Sequence, residues 1–423
     1  MHQLIDSGVK WIGDIPSHWT VENPRWHFVQ RKDRAKPGMT QVTASQKYGV
    51  ITQEEYMDIT GSNIVTVQKD FDILKMVCEG DFVIHMRSFQ GGLEYSERTG
   101  SISSAYVMLI PQATIAEPRY YKWYFKSANY IDALSSTSNL VRDGQAMRYS
   151  NFVQLPILLP PAEEQRKIAD FLDDKCKEVD ALILDIQQQI DLLLKYKKSI
   201  IFETVTKGIR CDVTLKDSGA AWIGNVPNHW QIDKFKYHLV RNEPRNPGNA
   251  IVLSLYRELG IIPKDSRDDN HNQTSEDTSK YKYVRPGNFV VNKMKAWQGS
   301  VAVSEYEGII SPAYYVYAFK SESFLKRYFH YLLRGCYKDE FMRLSGGMRV
   351  GQWDLAAEDL ENTVVLIPPM EEQISIANFL DKKCEEIDAF IASKEEQISI
   401  LESLKKSIIF EYVTGKKEVD TVE

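Results

Sequence analysis

No stretch of this 423-residue chain approaches the ~18–20 consecutive apolar residues that a bilayer-spanning helix requires, so a helical membrane protein is not encoded. The opening Met1-His2-Gln3-Leu4-Ile5-Asp6 has neither the basic nor the apolar region of a secretion signal, and the chain is expected to be cytoplasmic. Its five cysteines (Cys78, Cys176, Cys211, Cys336 and Cys384) are odd in number and form no Cys-x-x-Cys pair, which fits a reducing cytosol. Excess charge is scarce as well. A net charge of −6 argues against indiscriminate coating of nucleic acid, and leaves open a local basic groove on an acidic body.

Catalytic motifs are also missing. The chain has no GxGxxG after a strand, no GxxxxGK[ST], no HExxH and no GxSxG. It has no Asn/Asp-Pro-Pro-Tyr/Phe element of an amino-methyltransferase and no Glu-x-Lys of a common nuclease site. Asp173-Asp174-Lys175 and Asp381-Lys382-Lys383 come nearest to the latter, but both fall inside a heptad helix and read as solvated faces. No catalytic residue and no metal site is expected.

What the chain does contain, it contains twice. Trp11-Ile12-Gly13-Asp14-Ile15-Pro16-Ser17-His18-Trp19 returns as Trp222-Ile223-Gly224-Asn225-Val226-Pro227-Asn228-His229-Trp230. Pro160-Pro161-Ala162-Glu163-Glu164-Gln165 and Ile168-Ala169-Asp170-Phe171-Leu172-Asp173 return as Pro368-Pro369-Met370-Glu371-Glu372-Gln373 and Ile376-Ala377-Asn378-Phe379-Leu380-Asp381. The offset is about 210 residues, half the chain, which marks a domain duplication and not a solenoid, whose period would be ~20–50 residues. His18 and His229, beside tryptophans, read as structural hydrogen-bonders.

Each Pro-Pro pair opens a helix: the residue before a proline leaves helical geometry, and a proline in the first turn loses no bond. Glu163 and Glu164 suit the positive end of the helix dipole. Leu172, Val179, Ile186, Leu193 and Ile200 then recur at seven-residue steps, with Cys176, Ile183, Ile190 and Lys197 between them. That is a coiled-coil stripe. The second copy reads Leu380, Ile387, Lys394, Leu401 and Ile408 with Cys384, Ile391, Ile398 and Lys405. Some 45 residues make a helix roughly 65 Å long, which cannot bury such a stripe alone. The other copy is the obvious partner, and a two-fold between copies favours antiparallel pairing.

The remaining residues read as mixed α and β. Asp81–His85 and Asn288–Asn292 are predicted strands, as are Ser104–Ile110 and Ala313–Tyr317, while Tyr120–Leu134 and Phe324–Leu333 are predicted helices. His271–Asp277 reads as a polar loop found only in the second half. The fold class is therefore α+β: two similar mixed α/β domains (1–158 and 209–366) and two helical spacers (159–208 and 367–423), the helices forming an antiparallel intramolecular coiled coil with pseudo-two-fold symmetry.

The recognition chemistry follows the paired strands. Arg87-Ser88-Phe89-Gln90-Gly91-Gly92 aligns with Lys295-Ala296-Trp297-Gln298-Gly299, which Lys293 precedes. A cation, an aromatic and an amide in one turn suit base edges, since Arg or Lys pairs with guanine and Gln with adenine. A turn with a packing aromatic explains the same residues. Arg142, Gln145 and Arg148, and in the second half Arg343 and Arg349, are candidate phosphate or base contacts. Lys47, Tyr48 and Arg257 could reach a ligand from neighbouring segments.

The alternation of Trp-Ile-Gly-x-Ile/Val-Pro-x-His-Trp with Pro-Pro-x-Glu-Glu-Gln-x-x-Ile-Ala-x-Phe-Leu-Asp, twice over, resembles the specificity (S) subunit of type I restriction-modification systems, and the resemblance covers the whole chain. It implies two target recognition domains, each reading one half of a split sequence in double-stranded DNA. It further implies helices that set the spacing and dock two methyltransferase (M) subunits, with two restriction (R) subunits joining for cleavage. S-adenosylmethionine, and ATP with Mg in the restriction complex, would then sit on partner subunits and no cofactor on this chain. The expected M contacts are outward residues of the helix openings: Glu163, Glu164, Gln165, Glu371, Glu372 and Gln373. Readers on one face of a duplex would sit about one helical turn apart, ~34–36 Å. The competing reading is a coiled-coil scaffold with paired protein- or carbohydrate-binding domains.

Overall fold

In a computed structural model of the chain, which describes residues 3–64, 73–137, 147–248, 250–256, 260–266, 274, 277–347 and 353–419, the heptad segments form two uninterrupted helices, Ala162–Lys207 and Met370–Val413. Every heptad position named above is buried or half-buried, and most residues between them are exposed. The chain divides into two compact units, residues 1–186 with 395–423, and residues 187–394. This division passes through the long helices and not at their ends, because each half-helix contributes to the core of its own unit.

In the first unit, Lys405 Nζ reaches both carboxylate oxygens of Asp180 at 2.6 and 2.7 Å, and the Phe171 and Tyr412 rings lie 4.3 Å apart. Early residues of one helix meet late residues of the other, so the strands of this coil run antiparallel. Ile168, Ala169, Leu172 and Cys176 share a core with Ile409 and Val413 and with the aromatic residues of the domain. In the second unit, Lys197 Nζ contacts both oxygens of Asp388 at 2.7 and 2.6 Å, again antiparallel, and Val205 joins Ile376, Ala377 and Leu380 in the core. Lys197 and Lys405, two of the three lysines at heptad positions, are thus accommodated by an aspartate across the seam, one in each unit.

Each unit carries a four-stranded antiparallel sheet of the same order. In the first, the neighbours are Phe28–Gln30, Val107–Pro111, Phe82–Ile84 and Glu94–Tyr95; in the second, Leu239–Arg241, Tyr314–Phe319, Phe289–Asn292 and Val301–Val303. Phe82-Val83-Ile84 and Phe289-Val290-Val291 are buried throughout, because successive side chains point to opposite faces and both faces are covered. Phe82 and Ile84 enter the large core shared with the helices, whereas Val83 packs with Val42, Val50, Val77, Ile102 and Met108. Phe289 and Val291 likewise enter the large core of the second unit, and Val290 the small one. Each small core lies under a hairpin, Val42–Ser45 with Gly49–Thr52 in the first unit and Leu253–Tyr256 with Gly260–Pro263 in the second.

The predicted helix over Tyr120–Leu134 is two helices, Pro118–Tyr124 and Ala128–Ser136, divided where the buried Ser127 hydroxyl donates to Tyr124 O. Its counterpart begins at Lys326 and runs to Cys336, followed by Lys338–Leu344. Of the polar loop His271–Asp277, all but Thr274 and Asp277 lies outside the described residues.

Candidate nucleic-acid interface

The repeated motifs turn out to be halves of one clamp. Glu164 accepts from His18 Nε2 at 2.7 Å and from Trp19 Nε1 at 2.8 Å. Glu372 accepts from His229 Nε2 at 2.6 Å and Trp230 Nε1 at 2.9 Å. Beside each glutamate the glutamine is buried, and its amide nitrogen donates to the carbonyl of the first proline: Gln165 to Pro160, Gln373 to Pro368. Their amide oxygens receive Glu117 N–H and Leu325 N–H. Gln165 and Gln373 are therefore not outward residues as expected from sequence; they satisfy the Pro160 and Pro368 carbonyls and the Glu117 and Leu325 N–H groups. Asp173 and Asp381 correct the solvated-face reading too. Asp173 accepts from Trp123 Nε1 at 2.9 Å and Asp381 from Tyr331 Oη at 2.8 Å, and each also pairs with an arginine, Arg119 or Arg327. Glu163 stays exposed, paired with Lys167, and Glu371 is exposed.

Held by these anchors, each domain presents the same short turn at the end of its central strand. In the first unit, Ser88–Gly91 forms a single helical turn with Arg87 at its N-cap (φ −109°, ψ 19°); in the second, Ala296–Gln298 forms a tighter turn with Lys295 at φ −128°, ψ 11°. Gln90 N–H donates to Arg87 O, and Gln298 N–H to Lys295 O, both at 2.9 Å. Ser88 and Ala296 are fully buried and pin the turn, while Arg87 and Lys295 are exposed, and among the described residues neither enters an ion pair.

The first turn is tied down on three sides. Gln46 Nε2 donates to Arg87 O at 2.9 Å, and Lys126 Nζ to Gly91 O at 2.9 Å. Arg87 N–H donates to His85 Nδ1, which leaves the other ring nitrogen, turned toward the buried Glu94, to carry the proton. Glu94 also binds the Lys126 ammonium. Gly92 has φ +75°, and a Cβ there would lie 2.0 Å from Phe125 O, so only glycine closes the turn. The Gln46 bond brings the hairpin tip bearing Lys47 and Tyr48 against the turn; Lys47 Nζ stands 5.2 Å from the Tyr48 ring. Gln90 is exposed, and Phe89 is partly buried against the core, a packing aromatic.

In the second unit the neighbour is the segment after helix Lys338–Leu344. Trp297 and Trp353 meet at 5.6 Å, Leu355 N–H donates to Lys293 O, and Lys293 Nζ lies 3.3 Å from Asp354. Trp297 Nε1 donates to Met294 O at 3.0 Å. Arg343 makes two 2.7 Å bonds to Glu340 one turn back. Lys293 and Arg343 are thus compensated cations, in contrast to Lys295. Gln298 is half-buried and Arg148 is exposed. Arg142, Gln145, Arg257 and Arg349 lie outside the described residues.

One pair of residues at the turn escaped the sequence reading. Met86 and Met294 immediately precede the turns, at the same repeat position, and are 48% and 44% exposed.

Residues 241–400 match the family model of the type I restriction modification DNA specificity domain. The chain is 25% identical over 438 residues to a putative type I restriction enzyme MjaX specificity subunit of Methanocaldococcus jannaschii, covering 97% of this chain and 96% of the relative. It is 25% identical over 431 residues to the MjaVIII specificity subunit of the same organism, covering 96% and 94%. Among solved structures, the fold is similar to a chain described under the assembly and conformational transition of the type I R-M system (TM-score 0.63, 15% identity, 95% and 99% covered). It is also similar to the HsdS subunit from Thermoanaerobacter tengcongensis (TM-score 0.51, 16% identity, 95% and 98% covered).

Proposed function

We propose that the chain is a type I restriction-modification specificity subunit, and that each of its two domains reads one half of a bipartite DNA target through the turn at the end of its central strand. The observation that carries this reading is the recurrence, in two domains of different surface sequence, of one buried-pinned turn with an exposed cation at the same position. Shared geometry with different side chains (Arg87 and Phe89 against Lys295 and Trp297) suits one kind of job on two different sequences. Arg87, Gln90, Lys295 and Gln298 face the groove. Arg87→Ala should weaken specific binding by ~1–3 kcal/mol and relax one base pair of one half-site, and Lys295→Ala should do the same in the other half. Wild-type binding and methylation by both variants would refute the role of the turn.

Chemistry is left to partners: two M subunits carrying S-adenosylmethionine, and two R subunits using ATP with Mg, in the cytoplasm. The antiparallel helices supply the repeated docking surface and set the half-site spacing. Leu192, Tyr196 and Phe390 are exposed apolar residues of the helices in the second unit. The residues at the matching repeat positions, Ile400, Leu404 and Leu182, are exposed apolar residues of the helices in the first. Two like apolar patches on one chain suit two copies of one subunit. They replace the helix openings as the preferred contact, since Glu164, Gln165, Glu372 and Gln373 are engaged within the chain.

The test is reconstitution. The chain alone should neither methylate nor cut DNA; with the M subunit it should methylate, and log affinity for DNA should fall steeply with log salt, as phosphate contacts require. Leu182→Glu combined with Phe390→Glu should abolish co-elution with M. Salt-independent binding would instead favour the scaffold reading, and intact M assembly in the double variant would move the docking surface elsewhere.

A further inference from the structure

Resting on the reading that the repeated turn faces a DNA groove, we infer that Met86 and Met294 are specificity-determining residues that each read the 5-methyl group of a thymine. An exposed methionine is ordinary once. Here it recurs at one repeat position of two domains whose surfaces otherwise differ, and each time the next residue is the exposed cation of the turn. The backbone around both is held while the thioether stands out. Arg87 N–H is bonded to His85 Nδ1 and Arg87 O to Gln46, whereas Met294 N–H is bonded to Asn292 Oδ1 and Met294 O to Trp297 Nε1. Fixed backbone lowers the ordering cost of a contact, leaving only the side chain's own rotamers to be immobilised.

The chemistry selects the ligand atom. A thioether carries no charge for phosphate, cannot donate to base-edge acceptors and is only a weak acceptor for base-edge donors, so its favoured partner is apolar. The major groove displays one such group, the thymine methyl, among the acceptors that Arg or Lys reads on guanine. A methionine followed by a cation is therefore a two-part reader, the first part for a methyl and the second for acceptors on a neighbouring pair. The sulfur is polarizable and the chain unbranched, which suits contact with a methyl presented at the edge of a flat ring. About half of each side chain is still in water, so burying the remainder on one methyl should be worth roughly 3–10-fold in affinity.

The test uses the full chain assembled with its M subunit and a duplex carrying the target found from its methylated bases. Each thymine is replaced in turn by deoxyuridine, which keeps the pairing and the O4 acceptor and lacks only the methyl. The wild-type complex should lose roughly 3–10-fold at one thymine in each half-site. Met86→Ala should lose as much on the unmodified duplex and become indifferent to deoxyuridine in one half only; Met294→Ala should do so in the other. Met86→Leu, similar in volume, should keep the discrimination. A half-site without a T·A pair, a wild-type complex indifferent to every replacement, or alanine variants that still discriminate would each overturn the inference. Arg87→Ala separates the two levels: if it weakens binding while the methionine variants behave as wild type, only this inference fails. If Arg87→Ala also binds as wild type, the reading of the turn beneath it fails.

Discussion

Truncation of Leu172 or Leu380 to alanine should destabilise the unit that contains it by ~2–5 kcal/mol, the range for a fully buried leucine whose surroundings cannot collapse. Both side chains have no exposure, and each stands where a long helix is buried against a domain core. Leu172 belongs to the same buried core as Ile409 and Val413 of the opposite helix and Tyr120 and Tyr124 of the domain, so that core is built from several elements around it. Leu380 is placed likewise among Val205, Tyr328 and Trp230. Leu193, a heptad residue further along the coil, is only half-buried and its removal should cost well under half as much. Denaturant unfolding with hydrogen exchange to assign the unit provides the comparison. Equal losses at Leu172 and Leu193 would mean that the coil is as tightly packed at its middle as at the domains.

The elements were legible wherever a local rule decides them. The heptad stripe gave both helices and their Pro-Pro starts, since burial with a period near 3.5 residues is a property of consecutive residues. The repeat gave the equivalence of Arg87 and Lys295 directly. What the sequence did not show depends on contacts that no local rule states. Glu164 looked like a helix-opening acid free for a partner, and nothing near it in sequence says that His18 and Trp19 occupy both its oxygens. Gln165 looked exposed after two glutamates, but the carbonyl of Pro160 and the N–H of Glu117 draw it inside. The break at Ser127 was similarly invisible, since a serine inside a helical pattern is tolerated unless its hydroxyl turns back on the chain.

Two features of the second-half turn region and its counterpart had a signal in the sequence. Glu340 stands three residues before Arg343, the spacing of a helical ion pair, and could have marked that arginine as compensated. Met86 and Met294 fall on the same repeat position as plainly as the cations do; only their exposure required the structure. Lys293 is different, because its partner Asp354 lies 61 residues away in a segment with no fixed periodicity.

The central claim is that each domain reads its own half of the target independently of the other. The most direct measurement is the genome-wide methylation pattern directed by a chain in which residues 1–158 are replaced by a second copy of 209–366, assembled with the M subunit. Residues 159–208 and 367–423 stay as they are, so the helices and the docking patches are unchanged. The account predicts that methylation moves wholly to a target carrying the second half-site twice, at the wild-type spacing, with the first half-site absent. A pattern that still contained the first half-site, or one in which both half-sites changed together, would contradict it.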